Sequence, residues 1–205
     1  MASNSGSFDC QPIAQLMDVA VARLTVREFR EMEFDDDDQY THLHELINGE
    51  LVRYKSAPSP WHQRVLARLN DVFRSYVESR QLGEVFFAPI TVFLDEENAP
   101  QPDLLFIPTA DRHLVTDEGI EGVPTLVVEI ISPTSIVRDR VTKKDLYERV
   151  GVAEYWIVDP QYQEIEVYAL AAGRYQLHSA ATTLEGETKS KLFGELKVDL
   201  GAVFA

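Results

Sequence analysis

The sequence predicts a mixed α/β fold, in which a sheet is flanked by helices. Three observations predict it. The apolar runs Gln101–Pro108, Pro124–Ile131 and Tyr155–Val158 have the length and composition of strands, and a helical stretch, Arg138–Val150, separates the last two. From Trp61 to about Arg80 apolar residues recur at helical spacing. Pro124–Ile131 is apolar on both faces, as in a strand covered on both sides. At 205 residues the chain is one domain with decoration, long enough to bury a full core.

Charge narrows the function. A net charge of -15 repels nucleic acid at long range, so any nucleic-acid contact requires a local basic patch. Cys10 is the single cysteine, which excludes an intramolecular disulfide and a cysteine zinc cluster. No run is long enough to span a membrane and the start has no signal-peptide pattern, so the expectation is a cytoplasmic protein.

In chain order, residues 1–24 read as a weakly ordered segment and 25–205 as the domain. Thr25-Val26-Arg27-Glu28 is a capping box that starts a short helix. Asp35–Asp38 reads as a solvated loop. Asn48-Gly49 between two alternating runs predicts a hairpin, because both turn positions need positive φ. After Pro58 and Pro60 comes the first long helix, with Trp61, Val65, Leu69, Val72, Phe73 and Tyr76 facing the core and Gly83 as its stop. Glu84–Leu94 reads as a central strand with a bulge or a break at Pro89. Ala110–Gly122 is a polar loop. The helix Arg138–Val150 stops at Gly151, strands Glu164–Leu170 and Arg174–Ser179 pair about Ala171-Ala172-Gly173, and the tail, including Lys191–Leu200, adds one short strand or extended segment.

The chemistry concentrates between Gln101 and Pro160. In Leu126–Ile131 alternation puts Val127, Glu129 and Ile131 on one face, so Glu129 is a carboxylate inside an apolar strand. Such a group costs several kcal/mol unless paired or metal-bound. Asp103 opens the preceding strand after Pro102. Lys143 shares a helix face with Leu146, Tyr147 and Val150, hence points inward, while Lys144 turns to solvent. A surface pair between Asp139 and Lys143 is the plain alternative. Two strand-end carboxylates can hold a hard cation, which activates water and polarises a phosphoryl group, and a lysine can stabilise the developing charge. Arg138, Arg140 and Lys144 form the local basic patch where a phosphate backbone would pass. Other candidates carry less. Glu45 is a third acid or hairpin surface, His42 and His44 share a strand face without a third ligand, His62 suits a structural hydrogen bond, and Ser132 has no base within reach.

The ordered strings HELINGELV, WHQRVLARL, PDLLFIP, VVEIISPTS and DRVTKKDLYERVGVAEYWIVDP closely resemble the Uma-two family of bacterial proteins, over roughly residues 25–204. The resemblance is specific through Lys143, Tyr147, Gly151-Val152 and Glu154-Tyr155-Trp156 taken together. It implies a restriction-endonuclease-like, PD-(D/E)XK fold, with an extra N-terminal hairpin and C-terminal strands. It implies metal-binding and catalytic roles for Asp103 and Glu129, a catalytic role for Lys143, and an auxiliary one for Glu45. Ile131 stands where the motif has lysine, and Lys143 on the next helix takes that place. The expected function is Mg²⁺- or Mn²⁺-dependent hydrolysis of DNA phosphodiester bonds, in a homodimer. The alternatives are a non-catalytic binding or assembly module on the same fold, or a hydrolase of small phosphorylated substrates.

Overall fold

A computed structural model describes residues 23–34, 42–55 and 58–205. The expectations for residues 1–22 and for Asp35–Asp38 lie outside these. Helix α1 (Val26–Glu31) begins at the capping box: the Thr25 hydroxyl accepts from Glu28 N, and the Glu28 carboxylate accepts from Thr25 N. Strands β1 (His42–Ile47) and β2 (Glu50–Lys55) form the antiparallel hairpin, with Asn48 and Gly49 at φ 52° and 75°. It is a separate two-stranded sheet, tied to the body where Leu46 bridges Ala99.

Helix α2 (Pro60–Ser79) is capped by the Ser59 hydroxyl, which accepts from His62 N. It buries Val65, Leu66, Leu69, Phe73 and Val77 against one face of the main sheet. That sheet has the order β3 (Gly83–Phe87), β4 (Leu104–Pro108), β5 (Leu126–Ile130), β6 (Glu154–Asp159), β7 (Glu164–Ala171) and β8 (Arg174–Thr182). All neighbours are antiparallel except β5 and β6, which are parallel and joined by a crossover over the opposite face. The crossover is a π-helical turn (Arg138–Lys143) followed by α3 (Lys144–Val150), where an uninterrupted helix was expected. Gly151 ends it at φ 93°.

Two expectations in the middle of the chain are corrected. The run Glu84–Leu94 is not a central strand: β3 lies at the sheet edge and stops at Phe87. Pro89 has no N–H to offer a ladder, and the rest of the run leaves the sheet to bury Val92 and Leu94 in the second core. Gly83 does not stop α2, which ends at Ser79 with Gln81 in the left-handed region. Its role is close approach, since a Cβ there would overlap the Ile107 carbonyl and stand 2.7 Å from Pro108 Cα. Within the expected polar loop Ile120 is fully buried.

The tail holds two short strands, β9 (Glu187–Lys189) and β10 (Lys197–Asp199), and a final helix α4 (Leu200–Phe204). Only the strand within 191–200 was legible beforehand. Glu154, buried on β6, anchors this tail by accepting hydrogen bonds from Trp156 Nε1, Ser190 Oγ, Lys191 N and Leu192 N. The sheet thus separates two cores. α2 and the tail cover one, while the hairpin, the loops and α3 cover the other.

Candidate active site

The last paired residues of β4 and β5 at one end of their ladder are Leu104 and Val128. Asp103 and Glu129 each lie one residue beyond, so the two carboxylates project from neighbouring strands at the same sheet end. Alternation along β5 puts Leu126, Val128 and Ile130 in the α2 core and Val127 and Ile131 in the other. Glu129 follows the second set, as its position in the strand predicts.

Both oxygens of Asp103 are held. Oδ2 accepts from Ile130 N at 2.7 Å, and Oδ1 lies 3.3 Å from His62 Nε2. Burial disfavours the charged imidazole of His62, but the bond and charge of Asp103 outweigh it and raise its pKa above 6.5. The structural hydrogen bond expected of His62 therefore falls on one of the candidate site acids.

Glu129 is buried and its Oε1 accepts two bonds, from Lys143 Nζ at 2.9 Å and from Tyr147 OH at 2.9 Å. The same ammonium lies 2.7 Å from Glu45 Oε1, which also accepts from Gln101 N at 2.6 Å. Hairpin, β5 and crossover thus meet on one lysine. Burial raises the pKa of Glu129 well above 4.5; Lys143 opposes that rise, while Asp139, Asp103 and Glu45 add to it. For Lys143 burial favours the neutral amine, but Glu129 and then Glu45 overcome it and hold its pKa well above 10.5. Lys143 is a fixed positive charge at neutral pH.

The alternative of a surface Asp139–Lys143 pair is overturned. Lys143 is 1% exposed and bonded to the two glutamates, and Asp139 is itself 2% exposed. A π-helical turn has more than four residues per turn, so positions four apart nearly eclipse and both side chains face inward. Asp139 was missed as a site residue, although its spacing from Lys143 equals that from Lys143 to Tyr147. The facing argument applied to the lysine would have placed it.

The three candidate phosphate-binding cations diverge. Arg138 lies over the Tyr54 ring and 3.5 Å from Asp139 Oδ1, beside the acids. Arg140 is ion-paired with Glu166 and Asp159. Lys144 does not extend into solvent but sits 3.4 Å above the Tyr168 ring, a cation–π contact facing β7. Of the histidine pair, His42 lies 3.3 Å from Arg53 and His44 stacks on Phe34.

Hard divalent cations take carboxylate oxygen, and the cluster supplies it. Glu45 Oε2 and Asp139 Oδ1 are buried with no hydrogen-bond donor. Carboxylate oxygen is the donor type that Mg²⁺ and Mn²⁺ take. Among the described residues, however, no three Asp, Glu, His or Cys side chains are grouped so that they could hold a metal ion as they stand. Lys143 is bonded to two of the candidate donors, so a cation would have to share them with it.

The six-stranded mixed sheet, the added hairpin, the C-terminal strands and the acid–lysine cluster at the β4–β5 end define a restriction-endonuclease-like α/β protein. Its fold matches the crystal structure of "a putative nuclease belonging to DUF820" from Anabaena variabilis ATCC 29413. The TM-score is 0.70 at 17% identity, covering 88% of this chain and 97% of the other. The model of the Uma2 family, described as "Putative restriction endonuclease", matches residues 26–201, and the chain belongs to that family. No curated protein matches the chain. No helix among the described residues is long and apolar enough to cross a membrane.

Proposed function

We propose that the protein is a divalent-cation-dependent phosphodiesterase acting on DNA. The observation that carries this is the buried Glu129, placed beside Asp103 at one sheet end and held by Lys143 and Tyr147. Asp103 and Glu129 would hold the Mg²⁺ or Mn²⁺, with Glu45 auxiliary. The bound ion would supply an activated water and polarise the phosphoryl group. Lys143, charged at neutral pH, cannot be the base; it orients Glu129 and offers positive charge to the developing phosphorane. Ile130 N and His62 fix the plane of the Asp103 carboxylate. Of Arg138, Arg140 and Lys144, Arg138 stands nearest the acids and would be the one to meet a phosphate. A homodimer would bring two such sites to two strands.

Calorimetric titration of Mg²⁺ and Mn²⁺ into the wild type, Asp103→Ala and Glu129→Ala tests the proposal. Binding by the wild type, lost in both folded variants, is the expected result, and Lys143→Ala should then abolish DNA cleavage. A wild type that binds neither ion sinks it. The second reading, a binding or assembly module on the same fold, is favoured by the net charge of -15 and by the double engagement of Lys143. It predicts no cation affinity and no cleavage.

A further inference from the structure

We propose that the β4–β5 end of the sheet takes a single-stranded stretch of DNA, with unpaired bases stacked on Phe87 and Tyr162 to either side of Asp103 and Glu129. The inference rests on the phosphodiesterase reading above and names the form of its substrate.

The first support is where the exposed rings lie. Among the described residues, Phe87 and Tyr162 are the two Phe, Tyr or Trp side chains that are exposed, at 54% and 68%. One exposed apolar side chain is ordinary; here both stand at the sheet end that carries the acids. Phe87 closes β3 opposite Leu104, and the next residue, Ala88, donates its N–H to the Asp103 carbonyl at 2.9 Å. β6 runs parallel to β5, so its last residue, Asp159, reaches the same end as Glu129, and Tyr162 lies in the turn from β6 to β7. In the order β3-β4-β5-β6 the acids therefore project from the two strands between the rings. Three strand spacings make about 14 Å, the rise of about four nucleotides stacked roughly 3.4 Å apart.

A second support is that the backbone carrying each ring is fixed. Asp159 Oδ1 accepts from Gln161 N at 3.0 Å and from Tyr162 N at 3.2 Å, and Arg140 pairs with the same carboxylate. Phe87 is held by the β3–β4 ladder, and alternation puts it on the face of Val85, which packs against the α2 core. On that side of the sheet the half-buried Trp61 precedes His62, the partner of Asp103, and Arg64 lies 5.9 Å over its ring. Rings presented by ordered backbone lose little freedom when a base docks on them.

Charge selects the form of the strand. In a duplex the bases stack on one another, and affinity comes chiefly from Lys and Arg contacts to phosphate. The chain carries a net charge of -15, Arg140 is ion-paired with Glu166 and Asp159, and Lys144 faces the Tyr168 ring. Stacking of an unpaired base on an aromatic ring needs no cation and tolerates any sequence. A second copy of the chain seated on the same two rings would bring two acidic sites face to face, which like charge disfavours. A single strand lying across the rings sets its phosphates over the acids without that cost.

The test follows fluorescence anisotropy of a labelled DNA single strand of about twelve nucleotides, within the usual site size, and of the duplex of the same sequence. The proteins are the wild type, Phe87→Leu, Phe87→Tyr, Tyr162→Leu, Tyr162→Phe and Leu177→Ala, all in chelator. Every one of these positions is exposed, so the variants keep the fold. The wild type should bind the single strand at least about tenfold more tightly than the duplex. Each leucine variant should lose at least about fivefold on the single strand, the lower end for base–aromatic stacking, and the two aromatic exchanges should stay within about twofold of wild type. Leu177→Ala, which trims an exposed apolar side chain on β8, should match the wild type. A duplex bound as tightly as the single strand, leucine variants that bind like the wild type, or an equal loss in Leu177→Ala overturns the inference. So does affinity for neither probe, the result expected if a protein partner covers the rings. Cleavage in Mg²⁺ or Mn²⁺ is scored separately. A wild type that holds the strand through these rings but never cuts it overturns the phosphodiesterase reading alone. A wild type that cuts DNA while both leucine variants bind normally overturns only this inference.

Discussion

Replacing Lys143 with methionine removes the ammonium that bridges Glu45 and Glu129. The N–O distances are 2.7 and 2.9 Å, and the three side chains are 1%, 0% and 4% exposed. Methionine keeps most of the buried chain, so the change is chiefly in charge. Breaking a buried ion pair by deleting one partner costs about 3–5 kcal/mol, because the remaining charge is left uncompensated. For a chain of this size that lowers the unfolding temperature by roughly 6–20 °C. The loss should depend on pH. Burial holds the folded pKa of Glu129 above 4.5, and Lys143 is the first influence opposing it. Without Lys143 the folded pKa climbs further while the unfolded value stays ordinary. The folded variant then binds a proton that the unfolded chain lacks, and a state that binds more protons loses stability as pH rises. Destabilisation is therefore smaller at pH 5 than at pH 8. Urea denaturation followed by far-UV circular dichroism at both values measures it. Equal stability of variant and wild type at pH 8, or a loss as large at pH 5, would refute the bridging role.

Three further outcomes follow from single contacts. Tyr147→Phe deletes a 2.9 Å hydrogen bond to the buried Glu129 carboxylate and should cost about 1.5–3 kcal/mol by urea denaturation, the usual range for a bond to a charged group. Gly83→Ala forces a Cβ onto the Ile107 carbonyl and should detach β3 from β4, seen as faster amide hydrogen exchange along Val85–Phe87; unchanged exchange there would show that the edge adapts freely. Glu154→Ala leaves Trp156, Ser190 and two backbone amides without their acceptor, so limited proteolysis should cut within 183–205 before the rest of the chain, and a tail as resistant as wild type counts against the anchoring role.

Elements governed by local chemistry were legible in the sequence. The capping box at Thr25 and Glu28, the Asn48-Gly49 hairpin, the apolar stripe of α2 and the stop at Gly151 each depend on a few adjacent residues, and they stand where expected. So does the facing of Glu129 and Lys143, which strand and helix periods determine without knowledge of neighbours. Glu45 was ambiguous for a physical reason: alternation puts a side chain on a face, but only packing decides whether that face meets solvent or another element. Asp139 was readable by the same rule as Lys143, whereas the π-helical form of its turn was not, since apolar spacing over so short a stretch does not distinguish the wider turn from an α-helical one. Glu84–Leu94 has the composition of a buried strand, but its strand portion, ending at Phe87, is half-buried to exposed at the sheet edge, and its buried residues Val92 and Leu94 lie beyond the strand, because composition reports apolarity and not pairing. The sequence by itself determined the hairpin, α2, β4 to β8, the helical character of the crossover, the inward facing of Glu129 and Lys143, and Asp103. Tertiary structure alone decided that Glu45, Glu129 and Lys143 touch, that His62 meets Asp103, and that Arg140 and Lys144 turn toward β7. Those contacts join residues far apart in the chain, and their distances depend on packing that no local pattern encodes.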